Sequence, residues 1–480
     1  MKDWNNILGN SIKMFLGTCI NILISIITTP IITRLVDPEN YGEWSLLRTY
    51  TNILMAIVML GLDQALVRFY YKDERIEYKR YLIYNIVKLP VIICLVLIIS
   101  SAGFVQKLDL FQSNNYIGYI LLYINVLISI VNRISQLVIR MEQKGTLYSI
   151  LMILNKIIYL IVVFLLIFVS DISDFIILTL GTLISQIVIT VMGIISCRQI
   201  WLPKVHKPYG VDVSLKMLVI YGLPFIYAML AGDIFNAADK LMIKELKTFY
   251  DVGIYASAVN IVAICAVFQT TFNLIWQPLA VKNYEKSPEN KSFYIKANGM
   301  ITVIMFGIGG MIICFKDSIG LILGEEYRRA ADIVPFLIFN PIMTTISETT
   351  VYGINFKNKT WYHMIITTVA AVINVLLNSY LIPIYSIQGA ALSTAISYVL
   401  FYFLRTGMSY HCYPIKFPVF RFLIIITLFV GYAFLNTFYQ IKFLYNIFLF
   451  LLFFIVMVVV YKEYVGYIWF FVCKEFSKRK

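Results

Sequence analysis

The sequence predicts an all-α polytopic membrane protein with about 14 transmembrane helices. Of its 480 residues, 60% are hydrophobic and only 14% are charged, whereas about a quarter of the residues in a soluble globular chain are charged. Apolar stretches of roughly 20 residues recur from end to end, and each can cross about 30 Å of hydrocarbon as a helix. Both observations place the chain in a lipid bilayer.

Fourteen apolar stretches define the predicted spans. In the first half they cover residues 12–33, 43–66, 81–103, 116–138, 147–169 and 174–196. In the second half they cover residues 217–239, 253–276, 297–315, 332–352, 361–381 and 387–404, followed by 422–438 and 443–461.

These spans predict two six-helix lobes followed by two extra helices. We expect an N-terminal lobe at residues 1–200, a cytosolic linker at 201–216 and a C-terminal lobe at 217–411. The extra helices, within residues 412–461, carry few polar side chains, and we expect them to face lipid outside a twelve-helix core. The basic and aromatic tail, residues 462–480, is expected to lie along the inner leaflet.

A weak internal repeat relates the two predicted lobes. A shift of 211 positions aligns Thr33, Gly42, Trp44 and Ser45 with Lys244, Gly253, Tyr255 and Ala256. In both copies one apolar run ends and the next begins, as expected for two related bundles in tandem.

The distribution of basic residues predicts the orientation. With the N-terminus in the cytosol, the 40 Lys and Arg residues favour the cytosolic segments over the outer loops by about three to one, which is a strong positive-inside bias. Both termini are therefore predicted to be cytosolic. The net charge of +14 follows mostly from this bias, so it does not indicate nucleic-acid binding.

Four basic residues fall inside consecutive spans of the first half: Arg48, Lys88, Arg133 and Lys156. Each costs about 2.5–3.5 kcal/mol at the centre of a bilayer on insertion scales, so they cannot all face lipid. One alternative is that they snorkel to an interface, which is easiest for Arg48 and Arg133 and hardest for Lys156. The other is that they face water inside the bundle.

Polar stripes beside these cations favour the interior. Asn125, Asn132, Arg133 and Gln136 recur at helical spacing in the fourth span, and Asn52 lies one turn from Arg48. Such stripes can also join helices to one another. Apart from Glu43 at the first position of its span, Asp63 is the only acid within these four spans, and it lies far along the span from Arg48. We therefore expect an unneutralised cationic cavity suited to an anionic substrate.

The sequence lacks the common signatures of enzymes and metal sites. His206, His363 and His411 are isolated, and no HExxH, GxSxG or phosphate-binding glycine loop occurs. We therefore expect no enzymatic activity and no cofactor.

Local patterns carry a family resemblance over nearly the full length. The first is a TRLxxPExYGxxS stretch, formed by Thr33, Arg34, Leu35, Pro38, Glu39, Tyr41, Gly42 and Ser45. The second is a DKxMI stretch followed by GxYxxA, formed by Asp239, Lys240, Met242, Ile243, Gly253, Tyr255 and Ala258, and Pro278 ends the eighth span. With the two-lobe repeat, the chain resembles the polysaccharide and O-antigen repeat-unit flippases of the multidrug/oligosaccharidyl-lipid/polysaccharide exporter superfamily.

This resemblance implies two lobes that alternate between inward and outward states in a bacterial cytoplasmic membrane. The implied substrate is an undecaprenyl-pyrophosphate-linked oligosaccharide, moved to the outer leaflet for O antigen or capsule, with H⁺ or Na⁺ as the coupling ion. A polysaccharide polymerase is an implied partner. The diphosphate would be held by Arg48, Lys88, Arg133 and Lys156, and the sugar by Asn52, Asn125, Asn132 and Gln136. The candidates for ion coupling are Asp63, Asp233, Asp239 and Lys240.

Three rival functions remain at this stage. A multidrug cation antiporter of the same superfamily would favour acids over cations in the first lobe. A repeat-unit polymerase usually has one large outer loop, which this sequence lacks. A lipid-linked peptidoglycan precursor flippase is excluded only weakly.

Overall fold

A computed structural model describes residues 2–112, 115–203, 206, 208–210 and 213–467. Every regular element in this part of the chain is a helix, which confirms the predicted fold class. The chain divides into two compact units, unit 1 (Met1–Ala237) and unit 2 (Ala238–Lys480). This division falls within a helix beyond the predicted linker, whose residues 204, 205, 207, 211 and 212 lie outside the described part. The predicted lobe boundaries remain a prediction.

Unit 1 contains nine complete helices and most of a tenth among its described residues. They are α1 (Lys2–Thr33), α2 (Pro38–Met59), α3 (Leu62–Phe69), α4 (Ile76–Ala102), α5 (Val105–Leu108), α6 (Asn115–Met141), α7 (Gly145–Val169), α8 (Asp174–Ser196), α9 (Arg198–Trp201) and α10 (Leu215–Leu246). Helix α7 packs against α1 and α8, and α6 packs against α2, α4 and α8. These six helices form one bundle around a polar interior.

Unit 2 contains the end of α10 and ten further α-helices in its described part. They are α11 (Phe249–Val262), α12 (Ile264–Lys286), α13 (Lys291–Cys314), α14 (Lys316–Ile322), α15 (Ala330–Leu337), α16 (Phe339–Thr350), α17 (Tyr352–Phe356), α18 (Trp361–Cys412), α19 (Val419–Phe438) and α20 (Phe443–Val460). The core lies where α16 packs against α13 and α18, and where α15 packs against α11 and α18.

The predicted spans correspond to these helices, with some interruptions. Eleven described helices are long and apolar enough to cross a membrane when α15 and α16 are counted together as one, or up to 12 if the bent pair α2 and α3 is one span. The 52-residue helix α18 is interrupted at Ser386, whose φ of 53° is not helical, and it covers the two spans predicted around that point. A total of 14 spans is compatible with these elements and stays a prediction.

Two helix starts agree with the internal repeat. Asp37 caps the N-terminus of α2, and its side chain accepts a hydrogen bond from Asn40 N. Thr248 caps α11 in the same way through Asp251 N. The two caps are separated by the 211 positions that relate the repeats, so both copies begin a helix at the equivalent residue.

The last two helices pack against other helices of unit 2. Helix α19 packs on α15, and α20 packs on α13. Buried Asn446 of α20 accepts a hydrogen bond from the Tyr432 hydroxyl and donates to the carbonyls of Ile313 and Cys314. These few polar groups direct one face of α20 into the protein, because lipid offers them no partner. Many large apolar side chains of α20 are exposed, and the expected lipid-facing position stays a prediction. Residues 468–480 of the predicted tail lie outside the described part.

Candidate functional site

A polar cavity of about 450 Å³ lies inside unit 1. Its wall combines residues of α1, α2, α3, α6, α7, α8 and α10. Seven of the residues predicted from the sequence line it: Asn52, Asp63, Asn132, Arg133, Gln136, Lys156 and Asp233. Three of the four stripe residues on α6, which are Asn132, Arg133 and Gln136, therefore face this cavity, as helical spacing predicts for one side of a helix.

A break between α2 and α3 brings Asp63 to the cavity. Leu60 and Gly61 both have positive φ, at 48° and 68°, and the two helices bend by 55° at this point. A Cβ atom on Gly61 would lie 2.3 Å from the Gly222 carbonyl oxygen. Glycine is required here because it alone tolerates both the left-handed backbone and this close approach.

Asp63 and Arg133 form an ion pair at the cavity wall. Arg133 Nη2 donates to Asp63 Oδ2 at 2.9 Å. The Asp63 side chain is only 1% exposed, whereas the Arg133 side chain is 46% exposed. The expectation of an unneutralised cationic cavity was therefore wrong. A straight helix would carry Asp63 away from the other charges, but the bend at Gly61 turns it toward α6.

Lys156 is the cavity cation without an acidic partner. Among the described residues, no carboxylate lies within ion-pair distance of its ammonium group. It is half-buried on α7, and the positive charge of Arg48 acts on it. An ammonium held in the membrane without a counter-ion favours an anion in the cavity.

The cavity also contains hydrogen-bond acceptors that are not used within the described protein. Buried side-chain oxygens of Asn21, Asn132, Gln136 and Asn155 have no hydrogen-bond partner in the described chain, and all four residues line the cavity. Unpaired buried polar groups are uncommon and call for an explanation. The oxygens themselves are covered, so they would reach a ligand in the cavity only after rotation of their side chains.

Three predicted binding residues do not line this cavity. Arg48 is exposed, with its guanidinium 5.0 Å from the ring centre of Trp44. Lys88 is exposed, with its ammonium 5.6 Å from the ring centre of Tyr84. Asn125 is buried on α6, and its Nδ2 has no partner among the described residues. Their assignment to the substrate stays a prediction.

A second polar site surrounds Asp239 in unit 2. Its Oδ2 accepts hydrogen bonds from the hydroxyls of Tyr255 and Thr394, both at 2.5 Å. Its Oδ1 accepts from Asn374 Nδ2 at 3.1 Å and Asn378 Nδ2 at 2.7 Å. All four donors are neutral, so the carboxylate is held in place without its charge being cancelled by them. The adjacent residue Lys240 is half-buried.

Sequence reasoning missed a buried ion pair in unit 2. Arg405, which directly follows the predicted span 387–404, is buried within α18. Its Nη1 donates to Ser347 Oγ at 2.7 Å and to Glu348 Oε1 at 2.9 Å. The available signal was the presence of Ser347 and Glu348 inside the predicted span 332–352, because an acid within a membrane span needs a partner.

An acid outside the spans has a perturbed pKa. Glu142 follows α6, and its Oε1 accepts hydrogen bonds from Lys79 Nζ and the Tyr70 hydroxyl, both at 2.7 Å. Burial alone would raise the pKa of Glu142, but these hydrogen bonds and the charge of Lys79 outweigh it and hold the pKa below 4.5. The pKa of Tyr70 is raised by its burial and by Glu142.

A sequence profile decides the family. The profile described as "Polysaccharide biosynthesis protein" matches residues 7–278, which is more than half of the chain. The chain belongs to the polysaccharide biosynthesis protein family. The matched range includes the whole lining of the unit 1 cavity and Asp239, whereas Asn374, Asn378 and Thr394 lie beyond it.

Two curated proteins are similar to part of this chain at low sequence identity. The capsular polysaccharide biosynthesis protein CapF of Staphylococcus aureus is 22% identical over 195 residues, which cover 38% of this chain and 47% of CapF. The probable low-salt glycan biosynthesis flippase Agl15 of Haloferax volcanii is 24% identical over 192 residues, covering 39% of this chain and 40% of Agl15. The match thus spans less than half the length of either relative.

Solved structures show the fold of this polysaccharide biosynthesis family member. The lipid II flippase MurJ in an inward closed conformation superposes with a TM-score of 0.70 at 15% identity, covering 95% of this chain and all of MurJ. An inward-facing multidrug resistance MATE family transporter of the MOP superfamily has a TM-score of 0.59 at 15% identity, covering 82% and 94% of the two chains. The chain is thus a multi-pass membrane protein with a MurJ/MATE-like fold.

Proposed function

We propose that this protein is a transporter that moves an oligosaccharide linked to a lipid diphosphate across the cytoplasmic membrane. The observation that carries the proposal is the cavity of unit 1. It places the unpaired ammonium of Lys156 beside Arg133 and several uncommitted amide oxygens, all within a bundle of apolar helices. Diphosphate needs the cations, and sugar hydroxyls need the acceptors.

The comparisons support this proposal at the level of family and fold. CapF is named for capsular polysaccharide biosynthesis, and Agl15 is named as a probable glycan biosynthesis flippase. MurJ, the structural neighbour with the higher of the two TM-scores, is named as a flippase of lipid II. All three names concern glycans or a lipid-linked precursor, which agrees with the chemistry of the cavity.

The proposed substrate is undecaprenyl-pyrophosphate-linked repeat units, taken from the inner leaflet for O antigen or capsule. The positive-inside bias supports cytosolic termini in a bacterial cytoplasmic membrane. In a cell that has two membranes, this is the inner membrane. A polymerase on the outer side would consume the product. No catalytic step is needed, because the glycan head changes leaflet without a change in its bonds.

Transport against a concentration gradient requires an energy source, and we assign this to H⁺ or Na⁺ entry. Asp239 is the candidate in unit 2, because its carboxylate is fixed by four neutral donors and can accept a cation without moving. Asp63 and Asp233 are the candidates in unit 1, where both line the cavity.

A multidrug cation antiporter is the second candidate. Asp63 and Asp233 in the cavity favour it, because a cationic drug requires acidic groups. Asp63, however, is already neutralised by Arg133, and Lys156 would repel the drug. A peptidoglycan precursor flippase shares the substrate chemistry proposed here and would differ in being essential for viability.

A deletion strain tests the proposal. We expect loss of surface polysaccharide and accumulation of complete lipid-linked repeat units on the inner leaflet, measured by mass spectrometry after leaflet-selective labelling. Normal surface polymer with altered sensitivity to cationic drugs would instead support the antiporter. Loss of viability rescued by a known lipid II flippase would support the peptidoglycan precursor.

A further inference from the structure

A basic pocket of about 290 Å³ lies in unit 1, apart from the polar cavity described above. Glu142, Lys144 and residues 195–200 line it, and we call it the inner-end pocket. It lies where α6 and α8 end, on the side of the membrane that the positive-inside bias assigns to the cytosol. The transport steps proposed above do not use it.

The turn that ends α6 fixes Lys144 in the wall of this pocket. Gln143 has a positive φ of 59°, and Lys144 N donates to the Ile139 carbonyl at 3.1 Å, as in a Schellman turn. The Lys144 ammonium donates to the Ser196 carbonyl at 2.7 Å and to Cys197 Sγ at 3.6 Å. An ammonium has three donors, so one remains for a ligand. Because the protein already holds this side chain, a ligand loses little binding energy in ordering it.

Positive charge predominates around the inner-end pocket. Arg198 is exposed and has no hydrogen-bond or ion-pair partner among the described residues. Arg80 donates through Nε to a backbone carbonyl of α9 at 2.6 Å. Glu142 is the acid of the described lining, and Lys79 pairs with it at 2.7 Å. The charges of Arg80, Lys144 and Arg198 are thus left without an acid of their own in the described part of the chain.

A stripe of exposed apolar residues leads along α8 to this pocket. Ile184, Ile187, Val191 and Ile195 are all exposed, and their spacing of three or four residues places them on one face of the helix. Ile195 also lines the pocket, so the stripe and the basic wall meet there. Trp201 ends α9, and Trp is enriched at the boundary between hydrocarbon and water. The surface is therefore apolar along the membrane and basic at its predicted cytosolic edge.

We propose that the inner-end pocket binds the phosphodiester headgroup of an anionic phospholipid of the inner leaflet, with the acyl chains along the α8 stripe. Basic pockets between helices on the cytosolic side attract such headgroups. Lys144 and Arg198 can bind the phosphate through charge-assisted hydrogen bonds. The bound lipid joins the ends of α6, α8 and α9 and stabilises unit 1. This site lies beyond the proposed function and does not require glycan transport.

Two features distinguish this pocket from an ordinary solvated basic surface. The positive-inside bias places basic residues near the cytosol for reasons of topology alone, but topology does not require an ammonium fixed beside a cavity. A free phosphate ion would use the basic wall and leave the α8 stripe unused. A phospholipid matches both the charge and the apolar face.

The test measures lipid binding by the full-length protein, purified in detergent and freed of bound lipid. Phosphatidylglycerol is the probe, and phosphatidylcholine with the same acyl chains is the reference without net charge. Native mass spectrometry gives the bound fraction at each lipid concentration. We expect phosphatidylglycerol to bind about tenfold more tightly than phosphatidylcholine and to raise the melting temperature of the protein.

Two variants that remove charge locate the site. We expect Arg198→Gln and Lys144→Gln each to weaken phosphatidylglycerol binding about fivefold and to leave phosphatidylcholine binding unchanged. Arg198→Gln keeps the test valid if Lys144→Gln fails to fold, because Arg198 is exposed and has no partner in the described protein. The matched control is Lys282→Gln, which removes an exposed positive charge near the end of α12 on the same predicted side. The control should bind both lipids like the wild-type protein.

The outcomes separate a phospholipid from other sources of phosphate. Equal binding of the two lipids, or an equal loss in Arg198→Gln and Lys282→Gln, would overturn the inference and leave the proposed function untouched. Undecaprenyl phosphate in the same titration represents a substrate lipid. If it binds more tightly than phosphatidylglycerol and loses this advantage in Arg198→Gln, the pocket belongs to the substrate and the phospholipid assignment is wrong. Inorganic phosphate that displaces phosphatidylglycerol completely would also overturn the assignment, because the α8 stripe would then contribute nothing.

Discussion

Lys156 and Arg133 show at the residue scale how similar charges acquire different roles. Both stand on apolar helices and line the same cavity, yet only Arg133 has an acidic partner among the described residues. Hydropathy indicated that both must avoid lipid. Whether such a cation has an acidic partner depends on a neighbouring helix, and that information is not contained in its own span.

Replacement of Lys156 by Ala should reduce export at least tenfold, because the cavity loses its unpaired cation. Protein levels should stay normal, since removal of a charge favours insertion by about 2.5–3.5 kcal/mol. Surface polysaccharide and immunoblots measure the two effects. Lys282→Ala, at an exposed position near the end of α12, is the matched control. Unchanged export in Lys156→Ala would remove this residue from the site.

Glu142 should make the stability of the protein depend on pH. Its folded-state pKa lies below 4.5, so its stabilising contribution is complete above about pH 5 and is lost as the pH falls through the folded-state value. Glu142→Gln should lower stability by about 1–2 kcal/mol at pH 7 and have less effect near pH 4. Thermal unfolding in detergent between these pH values measures this. An equal loss at both pH values would contradict the assignment.

At the scale of a single element, the break between α2 and α3 determines which acid reaches the cavity. The sequence predicted one continuous span over residues 43–66, because Leu60 and Gly61 do not interrupt its hydropathy. The structure instead bends the chain by 55° there. This bend turns a distant acid into the partner of Arg133.

Gly61→Ala should destabilise this element by about 1–3 kcal/mol, because the new Cβ meets the Gly222 carbonyl and φ is positive. The expected result is a lower melting temperature and weaker binding of UDP-glucose, a soluble diphosphate diester that carries a sugar, measured by calorimetry. Gly103→Ala is the matched control, because a Cβ there has no neighbour within 4 Å. Wild-type stability and binding in Gly61→Ala would show that the break does not position Asp63.

The two units carry different polar chemistry at the scale of the whole molecule. Unit 1 has a cavity with cations, acids and uncommitted amides. In unit 2, four neutral donors surround the buried carboxylate of Asp239. Asn374, Asn378 and Thr394 are 135 to 155 residues away in the sequence, and Tyr255 is 16 residues away. We therefore propose that unit 1 binds the substrate and that unit 2 couples transport to the ion gradient.

Asp239→Asn should abolish the dependence of transport on the ion gradient while leaving UDP-glucose binding near wild-type. The carboxamide keeps the shape of the side chain but lacks the charge that holds a cation. Reconstituted vesicles with an imposed H⁺ or Na⁺ gradient measure the effect, with Asp251→Asn at the start of α11 as the control. Persistence of gradient-driven transport in Asp239→Asn would place coupling elsewhere.

The sequence by itself determined the helical membrane class, most span bounds, the stripe on α6 and the need for Lys156 to avoid lipid. Hydropathy and helical periodicity are local properties, so they can be read from consecutive residues. The tertiary structure decided that Asp63 neutralises Arg133, that Arg405 is buried with Glu348, and that Asp239 meets Asn374 and Asn378. These pairings depend on bends and on the rotation of each helix about its axis, which are set by packing between helices distant in sequence.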